Sequence, residues 1–351
     1  MDNQQNGIEE VEQLQQKFQQ VQLPEELQLK ISQMLMRLRR MALQQSYIEE
    51  FERVSHYLDW IVSLPWGQTS QDVLDLSHAQ QIFEQHHYGL PEVKERFYEY
   101  ISVLKLRANQ NSNQVVHAPV LLLVGLVGTG KTTFAYSLAE ALGRKIVRIP
   151  FGGMTSARDL RGQSRLHLES EPGYLIKSLR EAGVRNPVIL LDEIDRVSEQ
   201  ARGEIMGVLV ELLDPEQNKA FTDYYIDYPF NLSEAIFIAT ANNTEKVSTA
   251  VLDRLEVISM PSYSDDEKIQ IGKFYLFPKA LEEAGLSLQQ VKIQDAMWPL
   301  IVRPLGYDAG IRTLQRTIQG IVRKSAKKIV EGSVQEIVLD ETNAKEYLPT
   351  Y

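Results

Sequence analysis

The sequence predicts an α/β fold: a parallel sheet between helices, with a helical unit before it and a helical subdomain after it. Apolar runs of four to six residues alternate with helix-forming stretches in the middle of the chain, and these runs are apolar on both faces, as in buried parallel strands. Both flanking regions show helical periodicity instead. We therefore expect a helical segment at 1–67, an α/β domain at 68–262, a helical lid-like subdomain at 263–333 and a strand or tail at 334–351.

Length, composition and charge place the chain among ordinary globular proteins. Its 351 residues are 43% hydrophobic and 24% charged, which suits two or three folding units. The net charge of -10 argues against sequence-independent binding to nucleic acid or to an anionic membrane, because such binding needs a basic surface, although a local basic patch stays open. Zero cysteines exclude disulfides, thiolate metal sites and cysteine nucleophiles. With no apolar run long enough for a bilayer and no signal-peptide pattern, we expect a cytoplasmic protein.

The N-terminal segment is predicted to hold three amphipathic helices. Apolar residues recur at three- and four-residue spacing through 8–21, 27–38 and 47–61. The turn Leu64-Pro65-Trp66-Gly67 ends the third helix. These apolar seams predict packing within the chain, not a membrane helix.

A second helical stretch, 75–107, precedes the sheet and contains the turn His87-Tyr88-Gly89-Leu90-Pro91. Tyr88 is a candidate to pack on the adenine of a nucleotide, although a tyrosine in an apolar turn is more often part of a core. The stretch therefore leaves two interpretations of Tyr88 open.

The centre of the sheet is the apolar run 120–124, which leads into Gly125-Leu126-Val127-Gly128-Thr129-Gly130-Lys131-Thr132 and a helix-forming run. This order of strand, glycine-rich loop and helix is the pattern of a phosphate-binding loop. Glycines let backbone amides approach the phosphates, and the helix N-terminus attracts the anion. The residues expected to bind ATP or ADP are Gly125, Gly128, Thr129, Gly130, Lys131, Thr132 and Thr133. A plain glycine turn between strand and helix is the alternative.

Two of these residues have specific expected roles. Lys131 should reach the β and γ phosphates, and the Thr132 hydroxyl should bind Mg²⁺. A matching acidic strand downstream favours this interpretation: the apolar run 188–191 ends in Asp192-Glu193. Asp192 is predicted to support the Mg²⁺, and Glu193 to orient and deprotonate the attacking water. An acidic pair alone would more simply be a helix N-cap with a first-turn acid.

Three polar residues further along the chain are weaker candidates. Asn242 follows the apolar run 235–240, where its amide would hold the water or the γ phosphate, although turn chemistry explains an Asn-Asn pair equally well. Arg254 is a candidate arginine finger for the next subunit's site, against the alternative of a surface salt bridge. Arg312 begins a helix of the C-terminal subdomain, where it would either fold over the phosphates or be solvated.

Together these stretches resemble the AAA+ ATPase module of Lon proteases, with the helical segment that precedes it in that family. The resemblance covers nearly the whole chain and rests on 58–67, 87–100, 125–133, 143–153, 185–198, 211–243, 252–258 and 309–318. The run Leu-Leu-Asp-Pro-Glu-Gln-Asn at 212–218 goes well beyond a generic ATPase. The fold expected from the resemblance is a P-loop AAA+ α/β domain followed by an α-helical lid.

The resemblance also implies roles, cofactors and partners. Lys131 and Thr132 correspond to Walker A, Asp192 and Glu193 to Walker B, and Asn242 to sensor 1. Arg254 corresponds to the trans arginine finger, and Arg312 to sensor 2. The implied cofactors are ATP or ADP and Mg²⁺. The implied assembly is a hexameric ring that hydrolyses ATP between subunits and unfolds protein substrates, with a separate protease or adaptor as a further partner.

The chain departs from the family pattern in its loops. Leu126-Val127 replace two prolines after the first glycine of the loop. In the first pore loop, His167-Leu168 stand where the family has an aromatic and an aliphatic residue, and acids lie nearby. Glu204-Ile205 replace an Asp-Pro pair near the second pore loop. We expect nucleotide binding to survive these changes, whereas substrate threading is in doubt.

Neither the family's protease domain, with its serine-lysine dyad, nor its N-terminal β domain is found in this sequence. We therefore expect no peptide cleavage by this chain. Three functions remain: a Lon-like ATPase that unfolds proteins, a nucleotide-gated scaffold or adaptor, and a DNA-directed ATPase. An intact Glu193 favours the first, the altered pore loop favours the second, and the acidic composition weighs against the third.

Overall fold

The computed structural model describes residues 2–42, 47–109, 119–167, 170–303, 310–332 and 334–348, and its centre is a five-stranded parallel sheet. The strands are, in chain order, β1 (Val120–Val124), β2 (Ile146–Pro150), β3 (Val188–Asp192), β4 (Phe221–Thr222), β5 (Pro229–Phe230), β6 (Ile236–Ala241), β7 (Leu255–Ser259), β8 (Val291–Ile293) and β9 (Ile337–Leu339). The central sheet has the order β2-β3-β6-β1-β7. The predicted parallel α/β fold is thereby confirmed.

Helices cover both faces of this sheet and form the two flanking regions. They are α1 (Asp2–Gln19), α2 (Glu25–Met41), α3 (Tyr47–Ser63), α4 (Leu76–His86), α5 (Pro91–Asn109), α6 (Lys131–Ala141), α7 (Arg158–Arg161), α8 (Tyr174–Ala182), α9 (Arg202–Leu213), α10 (Thr249–Leu252), α11 (Asp265–Ile271), α12 (Phe277–Glu283), α13 (Trp298–Val302), α14 (Arg312–Val330) and α15 (Ala344–Tyr347). No helix within the described ranges is long and apolar enough to cross a membrane.

Alternation along the strands divides the apolar core into two layers. Leu122 points to the layer that holds α1–α3, α8 and α9, whereas its neighbours Leu121 and Leu123 point to the layer that holds α4, α5 and α6. This is the period-two geometry of a strand that is buried on both sides. The carboxyl ends of β1, β3 and β6 therefore meet at one open edge, held rigidly between two helical layers.

The N-terminal helices pack against the α/β domain through aromatic side chains. Tyr57 donates a hydrogen bond to the carbonyl of Ile226, at 3.1 Å. Trp66 lies against Phe230 of the β4–β5 hairpin, with ring centroids 5.1 Å apart. The guanidinium of Arg180 lies 4.3 Å from the centre of the Trp60 ring. The apolar seams read from the sequence are thus buried within the chain.

The C-terminal subdomain has its own apolar core, built from α12, α13, α14, α15 and the β8–β9 pair. Strand β9 pairs in parallel with β8, so the terminal strand expected after residue 334 is part of this core. Between α11 and α12 the helix widens into one π-helical segment, Gly272–Leu276. A Cβ on Gly272 would lie 2.6 Å from the Trp298 ring, so only glycine allows α13 to pack this closely.

His87 is buried beneath the glycine-rich loop's helix and is kept neutral there. Its Nε2 is 2.9 Å from the Ser137 hydroxyl, and its ring stacks on Phe134 at 3.7 Å between centroids. Burial, together with the nearby charges of His86 and Lys94, lowers the pKa of His87 from 6.5 to about 3. Below pH 6.5, His87 therefore binds a proton in the unfolded chain while it stays neutral in the folded protein.

This difference predicts acid sensitivity. Between pH 6.5 and pH 5 the unfolded state gains a proton at His87 and the folded state does not, so His87 lowers the free energy of unfolding by about 1.4 kcal/mol per pH unit. In urea titrations at pH 7.5 and pH 5, the stability advantage of wild type over His87→Gln should therefore shrink by about 2 kcal/mol. Parallel pH profiles for the two proteins would show that His87 is not the group responsible.

Candidate functional site

The glycine-rich loop occupies the open edge of the sheet, between β1 and the first turn of α6. Gly128 and Gly130 have φ values of 85° and 94°, in the left-handed region that favours glycine. Gly130 also precedes the first residue of α6, so the loop's last peptide units lead directly into a helix N-terminus. Amides at such a helix start point toward an anion. The backbone of this loop therefore has the glycine conformations and the helix start that a phosphate-binding loop needs.

Lys131 lies folded over this loop and is almost fully buried. Its ammonium donates to the carbonyls of Gly125 at 2.5 Å and Leu126 at 3.0 Å, and to Oδ1 of Asn242 at 3.2 Å. Burial lowers the pKa of Lys131, an effect that the carboxylates of Asp195, Glu193 and Asp192 oppose. The ammonium is thus close to three acids but bonds only neutral oxygens, an arrangement that suits exchange of those oxygens for phosphate.

The threonines of the loop have different partners. Thr129 donates to the carbonyl of Leu126 at 2.9 Å and is fully buried, while Thr133 donates to the carbonyl of Gly130 at 2.7 Å. Both hydroxyls therefore support the loop's shape. Thr132 follows Lys131 at the start of α6 and is half-buried. Of the three, Thr132 is the one best placed to offer its hydroxyl to a metal ion.

Asp192 ends β3 and is buried, with its carboxylate held on both oxygens. Oδ1 accepts a hydrogen bond from the Thr240 hydroxyl at 2.5 Å, and Oδ2 contacts the guanidinium of Arg148 at 2.7 Å from Nε and 2.6 Å from Nη2. Neither partner was predicted from the sequence. The sequence does give one indication of a role for Thr240, because this polar residue interrupts an otherwise apolar strand.

Glu193 follows in an unusual backbone conformation. Its φ of 58° and ψ of 50° are left-handed, which a residue with a Cβ seldom adopts. The Thr240 hydroxyl oxygen accepts a hydrogen bond from the Glu193 amide at 2.8 Å, so one hydroxyl ties both acids together. The Glu193 carboxylate is about one-quarter exposed and lies 3.3 Å from Arg196. A strained, partly exposed acid beside the loop is suited to act on a water molecule.

Asn242 and Asp195 complete the edge next to Lys131. Oδ2 of Asp195 accepts from the Asn242 amide N–H at 3.1 Å and from its side-chain nitrogen at 3.4 Å. This fixes the Asn242 side chain so that its oxygen faces Lys131. Oδ1 of Asp195 is buried and has no hydrogen-bond partner among the described residues. Asp195 was not singled out from the sequence, because its role depends on a neighbouring strand.

The donor set fits a magnesium nucleotide better than a free metal ion. No group of three or more histidines and acids that would hold a metal occurs in the described parts of the chain. Mg²⁺ commonly binds through one or two carboxylates together with substrate phosphates. Both oxygens of the Asp192 carboxylate already have a partner, Thr240 at Oδ1 and Arg148 at Oδ2, so a metal ion would have to share the carboxylate with them. Thr132, Asp192 and the loop's amides would hold such a complex.

The C-terminal subdomain touches the loop directly at the start of α14. The Ile311 amide donates to the carbonyl of Gly128 at 3.1 Å. A Cβ added to Gly128 would lie 3.3 Å from Cγ of Arg312, and the positive charge of Arg312 adds to the lowering of the pKa of Lys131. Arg312 therefore lies at the loop, and its predicted role over the phosphates stays a prediction.

Gly310 allows the start of α14 to lie against the glycine-rich loop. A Cβ at Gly310 would lie 2.3 Å from the carbonyl oxygen of Val127 and 2.8 Å from Gly128, where only backbone could give way. Gly310→Ala should move the start of α14 off the loop and weaken binding of a fluorescent ADP by about tenfold, roughly 1.4 kcal/mol. Gly320→Ala is the control, because Gly320 lies inside α14 with open space around it. Equal affinities for the two variants would contradict the prediction.

Arg254 is not part of the same edge. It directly precedes β7, and the register pairs Leu255 with Val120 at the start of β1. Arg254 is therefore level with Pro119, the residue before β1, and the loop begins six residues further along the chain. Because strands rise about 3.3 Å per residue, Arg254 is about 20 Å from its own loop along the strands. The guanidinium instead bonds the Ala250 carbonyl at 2.8 Å and Asp214 at 3.3 Å. The structure therefore separates Arg254 from the other candidates.

Tyr88 lies between α4 and the C-terminal subdomain. It is half-buried, packs on the apolar core beneath α6, and its ring meets Tyr275 edge-on at 6.4 Å. The next residue, Gly89, would place a Cβ 3.2 Å from Glu267 of α11. The position fits both interpretations left open by the sequence, a core tyrosine and one that borders an adenine.

The predicted pore loop emerges between α7 and α8, and its base is fixed. The buried Asp223 carboxylate accepts from the amides of Gly173, Tyr225 and Ile226 at 2.8 to 3.0 Å. A Cβ on Gly173 would lie 2.1 Å from the Leu160 carbonyl oxygen, so the two sides of the base are in close contact. His167 is exposed at the distal end. Leu168, the second residue of the predicted grip, lies outside the described residues.

Comparison with known families separates two regions of the chain. Residues 121–263 match the ATPase family associated with various cellular activities (AAA). Residues 282–338 match the Lon protease AAA+ ATPase lid domain. The first region contains the loop, Asp192, Glu193, Asn242 and Arg254, and the second contains Arg312.

Individual relatives are similar over almost the whole chain. The Lon protease 2 of Thermus thermophilus is 40% identical over 348 residues, which is 97% of this chain and 43% of the relative. The Lon protease of Dictyoglomus thermophilum is 41% identical over 330 residues, which is 94% of this chain and 40% of the relative. The chain thus spans about two fifths of the length of these relatives.

Proposed function

Because the chain belongs to the Lon family as an AAA ATPase domain joined to a Lon lid domain, we propose that it binds ATP with Mg²⁺ at the 125–132 loop and hydrolyses it. The observation that carries this proposal is the convergence of Lys131, Asp192, Glu193 and Asn242 on one edge of the sheet. Peptide cleavage is not assigned to these residues. A cytoplasmic location accords with the composition.

Each proposed role uses a contact already described. Lys131 releases the loop carbonyls and binds the β and γ phosphates, while Asn242, held by Asp195, keeps its oxygen beside the reacting phosphate. Glu193 orients a water molecule and accepts its proton. Thr132 and Asp192 would hold Mg²⁺ that enters with ATP, and the ion would supply neutralisation of charge on the phosphates. Arg312 covers the same phosphates from the lid, and Tyr88 borders the base.

We further propose that the active unit is a ring, hexameric as in the Lon resemblance, in which Arg254 serves the neighbouring subunit. The support is geometric: Arg254 is about 20 Å from its own loop, and one of its donors, Nε, is buried without a partner among the described residues. A head-to-tail ring presents this arginine to the next subunit's site. The mechanical work of such a ring would be the unfolding of protein substrates.

The direct test is ATP turnover by the purified chain as a function of protein and Mg²⁺ concentration. We expect phosphate release that needs Mg²⁺ and rises more steeply than linearly with protein concentration, because subunits complete one another's sites. Turnover without any dependence on protein concentration would contradict the shared site. A chain that binds neither ATP nor ADP would contradict the proposal as a whole.

A nucleotide-gated adaptor is the second candidate, favoured by the pore loop. Its exposed His167 offers a weaker apolar grip than an aromatic residue, although the base of the loop is intact. The two functions differ in one measurement, ATP-driven unfolding of a tagged fluorescent substrate. ATP hydrolysis with loss of the substrate's fluorescence supports the unfoldase, whereas hydrolysis without it supports the adaptor.

A further inference from the structure

Arg148 forms an ion pair with Asp192, the carboxylate of the proposed magnesium site. It lies on β2, whereas the residues assigned to that site, Thr132 and Asp192, lie on α6 and β3. Its Nε and Nη2 both approach Oδ2 of Asp192, at 2.7 and 2.6 Å. No other basic group contacts that carboxylate within the described part of the chain. The acid proposed to serve the metal is thus already paired with a cation from the protein.

The sheet explains why this arginine reaches Asp192. Strand β2 is an edge strand beside β3, and the register places Pro150 opposite Asp192 with Arg148 two residues earlier. Alternation buries Val147 and Ile149 and turns Arg148 outward. As a result the Arg148 side chain is 51% exposed, while that of Asp192 is only 5% exposed. The guanidinium can leave toward water, whereas the carboxylate is fixed.

The fold does not need Arg148 to hold Asp192 in place. The Thr240 hydroxyl fixes Oδ1, and the Asp192 backbone carbonyl accepts from the Phe151 amide at 2.9 Å. What Arg148 supplies is charge: it neutralises a buried carboxylate that would otherwise be costly to keep ionised. The same charge repels a divalent cation that approaches the same oxygens.

We propose that Arg148 is a positioning residue that sets the magnesium requirement of this site, by acting as a built-in cation that Mg²⁺ must outcompete at Asp192. The inference rests on the proposed nucleotide site and adds a residue to it. When magnesium nucleotide binds, the exposed guanidinium moves off Oδ2 and Asp192 remains oriented by Thr240. Arg148 therefore occupies Oδ2 of Asp192 until magnesium nucleotide binds, and it limits how tightly Mg²⁺ is held.

The test is the Mg²⁺ dependence of nucleotide binding, measured with a fluorescent ADP at increasing free Mg²⁺ and in EDTA. In Arg148→Gln the Mg²⁺ concentration for half-maximal binding should fall by about three- to tenfold, because a repelling charge is gone. Arg148→Lys keeps the charge and should stay near wild type. Arg185→Gln is the matched control: it removes the same charge at the opposite end of the sheet, where Arg185 pairs with Glu234.

Each outcome separates this inference from the function it rests on. An unchanged or higher Mg²⁺ requirement in Arg148→Gln overturns it, as does an equal loss of ADP binding with and without Mg²⁺, which would indicate a purely structural role. Thermal unfolding in EDTA checks that the variants are folded. If Arg148→Gln is not folded, Arg148→Met serves as a second uncharged variant. Wild-type protein that binds no ADP at all would instead overturn the proposed nucleotide site.

Discussion

Glu193→Gln should reduce ATP turnover by about 100-fold or more while ADP and ATP affinity stay within about threefold of wild type. The substitution keeps the size and the hydrogen-bonding reach of the side chain but removes the group that accepts a proton from water. Its backbone amide still bonds Thr240, so the loop and Asp192 are undisturbed. Phosphate release and fluorescent-nucleotide binding, measured on the same samples, provide both quantities.

The control for this prediction is Glu199→Gln, a nearby acid whose side chain is 85% exposed and pairs loosely with Arg202. It should leave turnover unchanged. Equal turnover in wild type and Glu193→Gln would remove Glu193 from the mechanism, and a parallel loss of nucleotide binding would show that the residue acts by holding the site's shape. Neither result would bear on Lys131, whose contacts do not include the Glu193 side chain.

The backbone at Glu193 is strained. A left-handed φ on a residue with a Cβ costs on the order of 1 kcal/mol, and the next residues turn at once into a short 3₁₀ helix, Ile194–Arg196. That turn brings Asp195 back against Asn242. The strained peptide therefore serves two residues: it presents the Glu193 carboxylate and it positions the acid that orients Asn242.

Sequence periodicity was enough to predict the sheet, its helical layers and the separate C-terminal subdomain. These features follow from hydrophobic alternation, which is a local property, and from the glycine and lysine spacing of the loop. Arg148, Thr240 and Asp195 were not found, because their roles depend on which strands are neighbours. The order β2-β3-β6-β1-β7 places residues far apart in sequence side by side, and no spacing within the sequence encodes that order.

Weak local elements were also beyond sequence reasoning. Strands β4 and β5 have two residues each; the Trp66 ring packs on Phe230 of β5, and a 3₁₀ turn, Asn218–Ala220, leads into β4. The π-helical segment Gly272–Leu276 begins at the glycine on which the Trp298 ring packs. In both cases the short segment lies at a tertiary contact between residues far apart in sequence, which local propensity does not encode.

Arg254→Ala should lower ATP turnover by about 100-fold or more without weakening nucleotide binding to the mutated subunit. The reason is the separation of Arg254 from its own loop, which leaves the Arg254→Ala subunit with a complete cradle but deprives its neighbour of a guanidinium. Loss of the contact to Asp214 removes one partly exposed ion pair, whose side chains are 30% and 23% exposed, so we expect a small effect on the fold. Turnover assays and fluorescent-ADP titration measure the two effects.

Mixing two inactive variants tests whether Arg254 acts in its own site or in that of the neighbouring subunit. An Arg254→Ala subunit keeps Lys131 and Glu193, and a Glu193→Gln subunit keeps Arg254, so a ring containing both has some interfaces with every group intact. With random assembly from equal amounts, about one quarter of the interfaces are complete, and turnover should recover toward that fraction of wild type. If Arg254 acted within its own subunit, no mixed interface would be complete. Activity of the mixture no higher than that of the separate variants would therefore exclude a trans role for Arg254.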